Sequence, residues 1–106
     1  MGAVSPDVPG FLDQMWLTYR HLAVERVEAI EAYLVAAMAG GATEELRSAA
    51  ESAAHKLVGA LGSFRRPGSD ESAQAEELLR RGAVADLAPV VAQLRRLVVE
   101  DQPPPA

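Results

Sequence analysis

Ala53-Ala54-His55-Lys56-Leu57-Val58-Gly59-Ala60-Leu61-Gly62-Ser63-Phe64 is the stretch on which the fold turns. At about 100° per residue, Leu46, Ala50, Ala53, Leu57, Ala60 and Phe64 fall on one side of a helix. That apolar stripe is fit to face a core. His55 points almost directly away from it, with Ser48, Ser52, Gly59 and Gly62 around it on the outward face. Each glycine costs roughly 1 kcal/mol against alanine inside a helix. Neither lies on the core side, so close packing there does not require them. They clear the surface on the C-terminal side of the imidazole. A local rule broken without structural gain points to function, here to a bulky partner that must reach the ring.

Outward from this helix the chain is punctuated as a series of helices. Pro9 marks a start, and Leu12, Met15, Tyr19, Leu22, Val27, Ile30, Leu34 and Met38 recur at a helical period. The pattern predicts one amphipathic helix of roughly 30 residues, or two with a slight break, with Trp16 and Tyr19 in or near the core. Gly40-Gly41 stops it. Thr43 is placed to cap the His55 helix, with Glu44 and Glu45 in the favourable first turn. Pro67-Gly68 is a turn, and Ser69 is the expected cap of a third helix that carries Leu78 inward and ends at Gly82. A last helix is expected from Asp86 or Leu87, where Pro89 in the first turn would forfeit no hydrogen bond. Its stripe is Val90, Val91, Leu94, Leu97 and Val98. Such segments, joined by short loops, predict an all-α antiparallel four-helix bundle. The domain reading is a flexible leader over residues 1–8, the bundle over 9–100 and a Pro-rich tail over 101–106.

With 106 residues there is room for one domain and one modest core. The absence of cysteine excludes a disulfide framework and thiolate metal sites. His21 and His55 are too far apart for metal-ligand spacing, and His21 reads as a surface or boundary side chain. There is no phosphate-binding Gly-rich loop and no nucleophile elbow, hence no route to autophosphorylation from ATP. No apolar run approaches the ~18 residues that cross a bilayer, and no secretory leader pattern is seen. A cytoplasmic monomer that binds neither membrane nor nucleic acid is expected, the net charge of −5 arguing against the last. Lys56, Arg65 and Arg66 nevertheless gather near the His55 helix. They read either as a basic rim that steers an acidic partner or, for the two arginines, as cations suited to a helix C-terminus.

His55-Lys56-Leu57-Val58-Gly59, followed by Leu61-Gly62-Ser63-Phe64, resembles the His-x-Leu-x-Gly signature of the histidine-containing phosphotransfer (HPt) domain. The likeness extends over the helical region, but only this motif is specific. It implies a four-helix bundle with a long first helix, in which exposed His55 accepts and donates a phosphoryl group. The exchange would be with the aspartate of a response-regulator receiver domain, free or within a hybrid histidine kinase. The resemblance implies a carrier rather than a turnover enzyme, with no cofactor of its own and Mg²⁺ on the receiver. Ser52, Lys56, Gly59, Gly62 and Arg66 would support the phosphoryl group or give the partner access. Many members carry a lysine three residues after the histidine, where this chain has Val58. Lys56 is then the first candidate for a stabilising cation, and Arg66 joins it if the helix runs that far. Arg65 stands where the family usually has glycine. The alternative is a docking module of the same fold that binds a receiver or a helical partner without chemistry. A third, weaker reading is a structural bundle that self-associates through the His55 face.

Overall fold

The computed structural model describes residues 8–100, with side chains from Gly10 onward. Four helices follow one another: α1 (Val8–Met38), α2 (Glu44–Ser63), α3 (Ser69–Arg81) and α4 (Val84–Arg95), the last continued by a π-helical turn over Arg96–Glu100. α1 packs on α2 and α4, α3 packs on α2 and α4, and the backbones of neither diagonal pair come close. The result is the all-α, antiparallel four-helix bundle with a long first helix that the periodicity predicts. The expected leader, up to Asp7, and the Pro-rich tail lie outside the described residues. α1 begins at Val8, one residue before the expected boundary.

The stops and starts have local causes. Gly40 adopts φ +78°, the left-handed conformation that closes α1. Thr43 caps α2, its hydroxyl accepting from the Leu46 amide at 3.1 Å. α3 departs from expectation, because the residue before it is Gly68 at φ +116°, and a Cβ there would meet Leu61 Cδ1 at 3.0 Å. Ser69 is therefore the first helical residue and not the cap, and its hydroxyl is spent on the Val58 carbonyl of α2, 2.9 Å away. α4 also starts earlier than expected, so Pro89 sits in its second turn and leaves the Ala85 carbonyl without its helical donor. Ala85 is exposed, where water can serve that carbonyl.

The core is built from Trp16, Ala23, Val27, Ile30 and Tyr33 of α1, with Ala50, Ala53, Ala54, Leu57 and Leu61 of α2 facing them. Ala75, Leu78 and Leu79 of α3 and Leu87, Val90, Val91, Leu94 and Val98 complete it. Two neighbours flank α2, so its buried sector is wider than the predicted stripe: Ala54 and Leu61 are fully enclosed, while Leu46, Ala60 and Phe64 lie at its margin. The α1 stripe is corrected more strongly. Met15, Leu22 and Met38 are exposed, at 46%, 36% and 70%, and Trp16, Ala23 and Tyr33 take the inward positions. The 31 residues of α1 outrun the 20 of α2. Phe64, just past the end of α2, meets Trp16 and Tyr19 with ring centroids 5.6 and 5.2 Å apart. The first turns of α1 thus extend past the end of α2, and a helical period alone does not reveal where a neighbour stops.

Polar clamps fix the outer edges. Glu31 of α1 holds Arg95 of α4 through two hydrogen bonds of 2.6 and 3.0 Å. Each charge keeps the other in place, and the Arg95 guanidinium is held above its ordinary range chiefly by the hydrogen bond to Glu31. Arg20 Nη2 donates to the Val99 carbonyl at 3.1 Å, tying the π-helical turn to α1. Because Leu57 is fully enclosed directly behind the outward face of α2, Leu57→Ala should lower the unfolding free energy by about 2–5 kcal/mol. His55→Gln, on the solvent side, should change it by about 0.5 kcal/mol or less. Urea unfolding of the two variants beside the wild type checks both values.

Candidate functional site

α2 and α3 run antiparallel in a register that places outward-edge residues opposite one another, turn by turn. Gly62 faces Ser69, where a Cβ would come within 3.6 Å of the Ser69 hydroxyl. Further along, His55 lies opposite Glu76, and Glu51 opposite Arg80. One end of the seam is therefore narrow and made of small residues, and the other is a ladder of charge.

His55 stands on this seam with its side chain 75% exposed. Its Nδ1 lies 2.9 Å from Glu76 Oε2. An ionised carboxylate can only accept, so the proton of this hydrogen bond sits on Nδ1. In the neutral ring Nε2 then keeps its lone pair, and the hydrogen bond orients the ring. A neutral imidazole with one nitrogen proton-bearing and anchored is a nucleophile through the other.

Glu76 is itself held. Its side chain is only 18% exposed, and Arg80, one turn on, approaches the same Oε2 at 3.4 Å. Arg80 also donates to Glu77 at 2.7 Å and reaches Glu51 Oε2 at 3.5 Å across the helix pair. Glu51 accepts from Arg47 at 3.0 Å, and Arg47 pairs with Glu44. The hydrogen bond from Arg47 keeps the Glu44 carboxyl below its ordinary range, and the same contact holds the Arg47 guanidinium above its own. A continuous line of alternating charge thus runs from the first turn of α2 to the imidazole.

The structure sorts the residues singled out in the sequence. Ser52, Lys56 and Gly59 are exposed with His55 on α2, and a Cβ at Gly59 would meet nothing within 4 Å. Gly62 continues the same clear surface toward α3. Lys56 makes no ion pair among the described residues. Arg66 does not join this group: α2 ends at Ser63, and the chain turns so that Arg66 pairs with Asp13 of α1 at 2.8 Å. Its guanidinium lies over the Trp16 ring, 5.3 Å from the centroid. Val58, at the position where many family members have lysine, is half-buried, its carbonyl bound by Ser69.

Glu76 and Arg80 are the two participants that the reading of the sequence passed over. A trace of them was present: Glu76 borders the inward face of α3 marked by Ser72, Ala75 and Leu79, and Arg80 follows it at the spacing of an intrahelical ion pair. Only the α2–α3 register shows that the carboxylate meets His55.

Among the described residues no group of three or more His, Asp or Glu side chains is arranged to hold a metal ion. None of the described helices is long and apolar enough to cross a membrane.

Two substitutions test this geometry. In Glu76→Leu the ring loses its acceptor at Nδ1, and nitrogen-15 NMR of the imidazole should show the proton moving from Nδ1 toward Nε2. An unchanged ring spectrum would mean that Glu76 does not set the tautomer. Gly59→Gln should leave the bundle folded and more stable by about 0.5–1 kcal/mol in urea.

Comparison with protein families adds one finding: the family model described as Hpt domain matches residues 14–101. Comparison with curated proteins and with solved structures finds no match. The family match spans most of the chain, from the second turn of α1 through the π-helical turn, and contains the His55–Glu76 pair. The chain belongs to the Hpt domain family, whose members are phosphoryl-carrier modules of histidine phosphorelays.

Proposed function

We propose that this protein accepts a phosphoryl group on Nε2 of His55 from an aspartyl phosphate of a receiver domain and returns it by the reverse step. The observation that carries this reading is the anchored, exposed imidazole: Nδ1 is committed to Glu76, and the ring stands in solvent beside two glycines. In the forward step the Nε2 lone pair forms the N–P bond as the P–O bond to the aspartate breaks, and the carboxylate leaves with the electron pair. The Nδ1 proton stays in place. The ring then carries positive character, which the Glu76 carboxylate offsets.

Phosphoryl transfer asks mainly for in-line positioning and for screening of charge on the equatorial oxygens. The bundle contributes the first through the fixed ring, while Mg²⁺ held by the partner serves the second. On this protein's own side, Arg80 is the cation tied to the imidazole, through the single Glu76 oxygen that both approach at 2.9 and 3.4 Å. With its side chain 54% exposed, Arg80 has freedom to exchange a carboxylate contact for a phosphoryl oxygen. It takes the place that Val58 leaves empty of charge, and Lys56 serves the partner interface. This is the chemistry of a carrier that works as a monomer in the cytoplasm, with the phosphohistidine as a transient state.

The experiment is labelling from a panel of receiver domains charged with radioactive acetyl phosphate. The expected label is acid-labile and disappears entirely in His55→Gln, while His21→Gln keeps it. Label retained in His55→Gln would refute the assignment. Receiver binding that survives His55→Gln, with no label from any donor, would favour a docking module instead.

A further inference from the structure

The structure separates two neighbouring arginines that the sequence presents as a pair. Arg66 is absorbed into the fold by Asp13 and Trp16. Arg65 is not: it is exposed and makes no ion pair among the described residues. Five further arginines are spoken for, Arg47, Arg80 and Arg95 by carboxylates and Arg20 and Arg26 by the Val99 carbonyl and the Tyr19 hydroxyl, whereas Lys56 and Arg81 make no ion pair among the described residues.

Arg65 also stands in a conformation that an arginine rarely takes. Its φ is +56°, and among the described residues no other side-chain-bearing residue has a positive φ. It occupies the left-handed position just beyond α2, where its amide reaches the Gly62 carbonyl at 3.1 Å and the next amide reaches Leu61 at 2.8 Å. Those two bonds define a helix ending that glycine satisfies without strain. The backbone would be easier with glycine, and the arginine side chain, which borders a small cavity with Leu12, Asp13 and Phe64, makes no ion pair there among the described residues. Strain held in this way is a pointer to function.

Its position supplies the rest. His55, Gly59 and Gly62 follow one another along one edge of α2, which rises about 12 Å from His55 to its end at Ser63 at 1.5 Å per residue, and Arg65 stands just past that end. That distance fits inside an interface of ordinary size, about 800 Å² per partner. Lys56 and Arg65 thus bracket the cleared strip with two uncommitted cations on a protein of net charge −5. A partner that carries an aspartyl phosphate with Mg²⁺ holds the metal with carboxylates beside the phosphoryl group, at the His55 end of the strip; at the other end the complement of an uncommitted arginine is an acidic side chain.

We propose that Arg65 is a docking residue: its guanidinium engages an acidic patch on the receiver partner, at a distance from the transferred phosphoryl group, and raises the rate of productive encounter. The inference rests on the phosphotransfer reading above. It makes Arg65 a determinant of partner choice that plays no part in the chemistry at His55.

The test compares Arg65→Gly and Arg65→Lys with the wild type and with Arg81→Gln. Arg81 is also exposed and makes no ion pair among the described residues, but lines the α3–α4 groove with Asp86 and Pro89. Arg65→Gly should raise the melting temperature by about 4 °C. The same variant should lower kcat/KM for transfer from a phosphorylated receiver about three- to tenfold at low ionic strength. The difference should vanish near 1 M salt, where the screening length is about 3 Å. Arg65→Lys and Arg81→Gln should transfer as the wild type does. Labelling of His55 by phosphoramidate, a donor with no docking surface, should be equal in all four proteins. Arg65→Gly that transfers at the wild-type rate at low salt overturns the proposal, and so does an equal loss of phosphoramidate labelling. Phosphoramidate labelling of His55 with no transfer from any receiver would overturn the partner reading itself, and the docking role with it.

Discussion

The seam between α2 and α3 is the constraint on which the rest of the structure depends. Leu57 and Leu61 face inward from one helix and Ala75 and Leu79 from the other, all enclosed. Burying them fixes the rotation of both helices about their axes, and rotation decides what remains outside. His55 lies two residues before Leu57 and is carried into solvent; Glu76 lies one after Ala75 and is carried to the edge of the seam. The turn at Gly68 sets the register: its φ of +116° is a conformation that favours glycine, and a Cβ there would press on Leu61 Cδ1 at 3.0 Å. A shift of one turn would bring His55 opposite Ser72 or Arg80 and leave the imidazole without its acceptor. The chemistry at the surface is thus dictated by packing underneath it.

This division of labour explains how little polar machinery the site needs. A carrier has to present one nitrogen and keep the other occupied. Glu76 meets the second requirement, and Arg80 holds Glu76 while satisfying Glu51 and Glu77 as well. Exposed ion pairs of this sort contribute little to folding individually, about 0–1 kcal/mol. Their effect here is positional: they restrain a carboxylate that would otherwise sample several rotamers. Most arginines of the protein are committed to such restraints, and of those cations that make no ion pair among the described residues, Lys56 and Arg65 are the ones beside the glycine-cleared strip.

Much of this was legible in the sequence, and the failures are instructive. The helix count, the stop at Gly40, the cap at Thr43 and the outward direction of His55 follow from local rules of capping and period, and the structure agrees with each. Met15 and Leu22 had the right period but lie exposed, because the inward face of α1 is the one carrying their neighbours Trp16 and Ala23, and period alone does not say which of two adjacent faces a partner helix covers. Ser69 had the chemistry of a cap but spends its hydroxyl on α2, since Gly68 had already turned the chain. Arg66 extrapolated onto the His55 face only if α2 continued past Ser63, and the turn sends it to α1. Glu76, twenty-one residues from His55, was beyond reach because a contact between helices is set by register, which no single helix encodes.

One measurement bears on the central claim more directly than any other. Nitrogen-15 and phosphorus-31 NMR of the protein after exposure to a phosphorylated receiver would show which ring nitrogen carries phosphorus. The proposed transfer predicts a single phosphohistidine, at Nε2 of His55, with the proton retained on Nδ1 toward Glu76. Phosphorus on Nδ1, or on His21, would contradict it.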